Sequence, residues 1–231
     1  MVSVGRVGKR VVFQLEAAQS RPGDCIVLEP RMSGLVLLAD PPDDEHLRLV
    51  FDLRGGQSRQ LLFWDRRGLG VARLVSPRQF VRLFGPEKLG PDALEISLES
   101  LHDRLRSSGR PIKVALMDQR TIAGIGNLYA SEILHRAAIH PGRACRKLRP
   151  AEWQKLYAAV QEILAEAIRH QGSTLRDGTY RIARNEPGRF QTCHRVYQRT
   201  GEQCLRCGRA AIVRIVQAQR STFFCPSCQR K

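Results

Sequence analysis

The stretch DQRTIAGIGNLYASEIL, residues 118–134, breaks a helical pattern with Gly124, Gly126 and Asn127 and resumes it at once. If Asn127 sits at the N-cap of a helix beginning at Leu128, its side chain and the first N–H groups point outward at the positive end of the helix dipole. That arrangement receives a phosphate. Gly124 and Gly126 permit positive φ and close backbone approach, so TIAGIG can make consecutive turns while a phosphodiester lies against the main chain. A plainer reading stays open: a helix-turn-helix corner with glycine for geometry and asparagine as a cap. A bare Gly-x-Gly is weak evidence, and no strand precedes it as a dinucleotide fold would need.

Outward from this corner the pattern stays helical. Ser97 can cap a helix through Leu101 and Leu105, and Pro111 suits the first position of another through Leu116. Leu128, Ile133, Leu134 and Ala137 line the helix after the corner, which ends before His140-Pro141. Pro150 opens a long helix in which Trp153, Leu156, Val160, Ile163 and Ala167 recur at helical spacing, closed by Gly172. Residues 173–192, rich in Gly, Arg and Asn, read as a loop long enough to be functional or mobile.

The first eighty residues differ. RVVFQLE, CIVLEP, LVLLA, LRLVFDL, RQLLFW and GVARL are short strand signals separated by Gly, Pro, Asp and Ser clusters, which predicts an antiparallel sheet domain. The fold class is therefore α+β. Expected segments are a partial β-sandwich over 1–90, a helical domain over 91–192 and a C-terminal hairpin over 193–231.

That hairpin carries the strongest spacing. Cys204 and Cys207 precede Cys225 and Cys228, and AAIVRIVQAQRSTFF between them alternates as a β-hairpin. Four thiolates so placed close a tetrahedral shell around one structural Zn²⁺ with no open position. Two pairs of buried or redox cysteines are the alternative. Cys25, Cys145 and Cys193 read as small buried apolar groups.

Charge narrows the partner. Residues 1–100 hold fourteen Lys/Arg against thirteen Asp/Glu, and residues 101–231 hold twenty-four against nine, so nearly all of the +16 lies in the second part. A polyanion, nucleic acid above all, is the natural partner. No run of eighteen apolar residues is present, and the start MVSVGRVGKR lacks an apolar signal region, so a cytoplasmic protein without a membrane partner is expected.

PIKVALMDQRTIAGIGNLYASEILHRAAIHPGR, with VYQRTGEQCLRCG, VQAQRSTFFCPSC, RVGKRVVFQLE and RMSG, resembles the formamidopyrimidine-DNA glycosylase and endonuclease VIII family, closest to the formamidopyrimidine/8-oxoguanine branch. The resemblance implies a monomeric base-excision-repair enzyme of the bacterial cytoplasm or nucleoid. It would excise oxidised purines from double-stranded DNA and cleave abasic sites by β,δ-elimination. It implies that the two halves clamp kinked duplex and that the damaged base flips into a pocket between them. Asn127 and Lys113, with Gly126 in the turn, would bind phosphate. Arg220 and Lys9 would hold phosphate and assist elimination. Met32 and Arg67 would fill the emptied stack, Arg67 pairing with the orphaned cytosine.

Departures from the family pattern are also legible. Leu69 stands where the family has Phe, Gly68 replaces an Arg, and of a His-Asp-His pattern only His46 remains, with Asp44 in place of the first His. Family enzymes open, after Met removal, with Pro-Glu-Leu-Pro-Glu, whose terminal amine attacks C1′. The sequence given starts MVSVG, so the expectation is that the first helix and strands are missing. Removal of Met1 would expose the Val2 amine, with no acidic residue near it in sequence, and Lys9 offers another amine. Two readings follow: a glycosylase and abasic-site lyase, or a catalytically silent damaged-DNA-binding module. A zinc-ribbon transcription or translation factor would leave Lys9, Met32 and Arg67 unexplained.

Overall fold

The structure, a computed structural model, describes every residue except 18–22 and 176. Among the described residues seven strands form the N-terminal part: β1 (Ser3–Val7), β2 (Arg10–Gln14), β3 (Cys25–Glu29), β4 (Gly34–Leu37), β5 (Leu47–Asp52), β6 (Gln60–Asp65) and β7 (Val71–Val75). They pair antiparallel in two sheets, ordered β1-β2-β3-β7 and β4-β6-β5. Period-two alternation sends Phe13, Ile26 and Leu28 of one sheet against Leu61, Phe63, Val36 and Phe51 of the other, which makes the sandwich core.

Strand β6 is buried along almost its whole length. Its second face sets Leu62 and Trp64 beside Leu35, Leu37 and Leu47. The strand therefore reads as a continuous apolar run, because both its faces are covered. Residues of the long loop reach this sheet: Leu38 N donates to Ala183 O at 2.7 Å, and the Asn185 amide donates to Asp40 O at 2.8 Å.

Five α-helices follow among the described residues: α1 (Pro77–Phe84), α2 (Leu98–Leu105), α3 (Ile112–Leu116), α4 (Asn127–Ala137) and α5 (Pro150–Arg169). The sequence reading has no counterpart for α1, a short helix that opens with Pro at its start and a capping box between Ser76 and Gln79. Ser97 caps α2 by accepting from Ser100 N. Pro111 stands one place earlier than expected, as the N-cap of α3 rather than its first residue. Strands β8 (Val213–Gln217) and β9 (Arg220–Phe224) form the C-terminal hairpin.

Two compact units result, residues 1–85 with 167–192, and residues 86–166 with 193–231. In the second, Leu101, Leu105, Ile112, Leu116, Ile122, Ile125, Ile133, Leu134, Leu156 and Val160 are sealed from solvent. Glu132 ties the hairpin segment to this core. Its carboxylate, 1% exposed, accepts the backbone N–H groups of Arg195, Val196 and Tyr197 at 2.8–3.0 Å. Burial outweighs these donors and pushes its pKa upward. Among the described residues no helix is long and apolar enough to cross a membrane.

Candidate nucleic-acid interface

The corner at residues 117–126 is shaped by a side chain that sequence reasoning passed over. Gln119 donates its amide to Met117 O at 3.0 Å and Ile125 O at 2.9 Å, and accepts from Gly124 N at 3.0 Å. One side chain thus closes both turns. Gly124 adopts φ +106°, a conformation only glycine takes without strain. Gly126 does not need that freedom. It is the N-cap of α4 in extended geometry at φ −114°.

Asn127 is consequently the first residue of the helix, not its cap, and no side-chain hydrogen bond caps α4. The Asn127 side chain is held sideways. Its Oδ1 accepts from Lys113 Nζ at 2.6 Å, and its Nδ2 donates to Ser221 O at 3.0 Å in β9. Lys113 completes the knot by donating to Ser221 O at 3.1 Å and Thr222 Oγ1 at 2.7 Å. An ammonium has three donors, and all three are spent inside the protein. Lys113 is 1% exposed, and burial together with the nearby Arg220 charge pushes its pKa down to about 8.

Arg220 begins β9 and is exposed, one residue after a two-residue turn in which Ala218 and Gln219 both take positive φ. Strand pairs in a right-handed twist favour that turn geometry even without glycine. The turn lies at the end of the hairpin opposite the zinc cysteines, since Val213 pairs with Phe224 beside Cys225 and Gln217 with Arg220 at the turn. Lys9 likewise sits on a tight turn, between β1 and β2, beside Gly8 at φ +57°.

In the first unit Met32 and Arg67, expected to fill the base stack, and Leu69, which stands where the family has Phe, lie on two adjoining turns. Met32 is 49% exposed and Leu69 41% exposed. Asp65, missed in the sequence, joins their turns. Its Oδ1 accepts from Ser33 Oγ at 2.6 Å and Arg67 N at 3.2 Å, and its Oδ2 accepts from Gly70 N at 2.6 Å. Burial alone would raise this carboxyl, but the Ser33 hydroxyl and the N–H groups of Gly70, Arg67 and Leu69 outweigh it and hold the pKa below the ordinary carboxylate range. Gly70 has to be glycine here: a Cβ would lie 2.6 Å from the Phe63 ring. His46 is spent on Asp43, with Nδ1 and Oδ1 2.8 Å apart, and Trp64 donates to the same Asp43 carboxylate at 3.2 Å.

The four hairpin cysteines converge. Cys204 Sγ and Cys228 Sγ are 3.9 Å apart and Cys207 Sγ and Cys225 Sγ 3.7 Å, with all four sulfurs within 4.8 Å of one another. A tetrahedral shell with Zn–S bonds of about 2.3 Å has sulfur–sulfur edges of about 3.8 Å, so the cluster fits Zn²⁺ and no disulfide. Without a cation the sulfurs could not share the space as thiolates: burial and the neighbouring sulfurs push Cys228 up to about 12, while a backbone N–H from Arg209 pulls Cys207 down to about 6. Four ligands leave the metal structural. Behind it, Val196, Ile212 and Phe223 pack with Cys204 and Cys225 into a small core.

Comparison with known proteins agrees with this geometry. Residues 1–72 match the formamidopyrimidine-DNA glycosylase N-terminal domain, residues 86–179 the formamidopyrimidine-DNA glycosylase H2TH domain, and residues 201–230 the zinc finger found in FPG and IleRS. The formamidopyrimidine-DNA glycosylase of Chloroflexus aurantiacus is 39% identical over 232 residues, covering 98% of this chain and 79% of the relative. The crystal structure of MutM (Fpg) from Thermus thermophilus superposes with TM-score 0.85 at 40% identity, covering 98% of this chain and 81% of that one. The Lactococcus lactis Fpg in complex with abasic-site DNA superposes with TM-score 0.84 at 33% identity, covering 99% and 81%.

Two outcomes follow from the buried groups. Lys113 keeps its proton up to about pH 8 in the folded chain and to 10.5 as an ordinary lysine. Its unfavourable contribution is thus fully present below pH 8 and is relieved as pH rises toward 10.5. An NMR titration of the Lys113 side chain should show a midpoint near 8, and a midpoint at the ordinary value would contradict the buried knot. Asp65→Asn, which keeps shape but loses acceptor strength, should speed amide exchange at Arg67 and Gly70 and cost about 2 kcal/mol of stability; unchanged exchange at both amides would remove Asp65 from this role.

Proposed function

The chain belongs to the formamidopyrimidine-DNA glycosylase family, and from that premise we propose how its own residues serve base excision. It is a base-excision-repair DNA glycosylase acting on formamidopyrimidine and 8-oxoguanine lesions in double-stranded DNA. One structural Zn²⁺ supports the grip on that DNA.

The observation that carries the reading is the locked Asn127 amide beside the exposed Arg220 turn. Asn127, first residue of an uncapped helix, presents a neutral polar group where the helix dipole favours an anion. We assign it to a backbone phosphate. Arg220, on the next strand over, supplies the charge for the neighbouring phosphates and a cation near the eliminated phosphate oxygen. Lys113 has no donor left for DNA, so it serves as a positioning residue that fixes Asn127 and β9 together.

On the other unit, Met32, Arg67 and Leu69 enter the duplex as one wedge whose turns Asp65 joins. Arg67 offers its guanidinium to the base left unpaired. Leu69 brings less stacking area than an aromatic ring, so Met32 carries more of the apolar contact. Lys9 meets the backbone and assists lyase chemistry. The basic second part of the sequence keeps the protein on DNA, as expected for a bacterial repair protein working at the nucleoid.

Binding and trapping test this together. Affinity for a duplex carrying 8-oxoguanine should fall steeply with salt, Arg220→Ala should lessen the slope by about one, and Asn127→Ala should weaken binding while leaving the slope unchanged. Borohydride should trap a covalent adduct on abasic-site duplex. Equal affinity of wild type and Asn127→Ala would overturn the phosphate assignment. Tight binding without an adduct would overturn lyase action while leaving recognition intact.

A further inference from the structure

The last turn of α4 places an imidazole against the zinc cluster. His135 Nε2 lies 3.5 Å from Cys204 Sγ, and both residues are buried, 3% and 1% exposed. His135 is not among the residues whose ligand atoms all lie within 4.8 Å, so it faces one sulfur from outside the shell. The contact is doubly fixed. Arg206, between Cys204 and Cys207 in the same knuckle, donates to His135 O at 3.0 Å and Arg136 O at 3.3 Å, closing the C-terminal end of the helix.

We infer that His135 donates its Nε2–H to the Cys204 thiolate and is a positioning residue for the zinc site, setting the electron density on that sulfur. Zn²⁺ with four thiolates carries a net charge of −2, and Cys204 and Cys225 place much of it out of reach of water. Buried charge of that size needs hydrogen-bond donors. Cys225 Sγ receives Cys228 N at 3.4 Å from its own knuckle. Cys204 receives a side chain from a different segment. If the opposite ring tautomer were present, a nitrogen lone pair would face the thiolate and the two would repel, so the geometry selects the Nε2-protonated form. Because the donor sits on α4, the metal shell is joined to the far end of the helix that begins with Asn127.

The same contact separates a hydrogen bond from mere packing. His135→Phe keeps a ring of similar volume and removes the donor, whereas His135→Gln places an amide N–H close to where Nε2 stood. Zinc content is measured first, because one zinc per chain in wild type separates this inference from the zinc assignment itself. In chelator competition His135→Phe should bind zinc about 10-fold more weakly. With Co²⁺ in place of zinc, its sulfur-to-metal charge-transfer band should move to lower energy. His135→Gln should recover both properties. A Phe variant equal to wild type in both readouts, or Phe and Gln variants that depart equally, would overturn the inference. The wild-type zinc protein gives a second test independent of how the variants fold: a long-range ¹H–¹⁵N spectrum should show neutral His135 protonated on Nε2, and protonation on Nδ1 alone would overturn it.

Discussion

A buried ammonium governs the second unit. Lys113 reaches from α3 to the first side chain of α4 and to two consecutive residues of β9, and it spends every donor there. A cation can be kept out of water only when its hydrogen bonds are all replaced. The fold accepts that cost at one point and gains a fixed relation between a helix tip and a hairpin distant in sequence. Asn127 and Arg220 are then held as one surface. Without Lys113, the bond from Asn127 Nδ2 to Ser221 O would be left as a side-chain hydrogen bond between the helix tip and β9.

The remaining contacts lengthen this tie. At the far end of α4, Arg206 of the first zinc knuckle donates to His135 O, His135 Nε2 meets Cys204 Sγ, and Gln229 from the second knuckle donates to Ile139 O at 2.9 Å while accepting Cys225 N. Glu132 in the middle of the helix gathers three backbone N–H groups from the chain entering the hairpin. The helix thus touches the metal-binding segment at its start, middle and end. In the other unit Asp65 has the comparable place, a buried charge whose partners are turns rather than a helix.

Much of this was legible in the sequence because it depends on local chemistry. Short apolar runs between Gly, Pro, Asp and Ser clusters marked β2 to β7, Ser97 and Pro150 marked helix starts, and the Cys-x-x-Cys pairs marked the zinc cluster. What was not legible depends on long-range partners. Asn127 looked like a cap because asparagine usually is one, and only Lys113 and Ser221 turn its side chain away from the helix axis. The resemblance implies phosphate binding for Lys113, and nothing nearby in sequence signals that Thr222 covers its ammonium. Gln119 and Asp65 are ordinary polar residues on paper; their roles come from backbone groups that only the folded turns bring within reach. Helix α1 is not legible, since Val81 and Leu83, two of its four apolar residues, are exposed and blur its face.

The central claim is that metal, hairpin and helix tip form one mechanical piece through Lys113. Amide hydrogen exchange on the zinc-loaded and the chelator-stripped protein tests it most directly. Stripping the metal should loosen Ser221 and Thr222 and, with them, the first turn of α4 at Leu128 to Ser131, and lesion-duplex binding should be lost in step. Protection in that first turn that stays unchanged while the hairpin exchanges freely would contradict the claim.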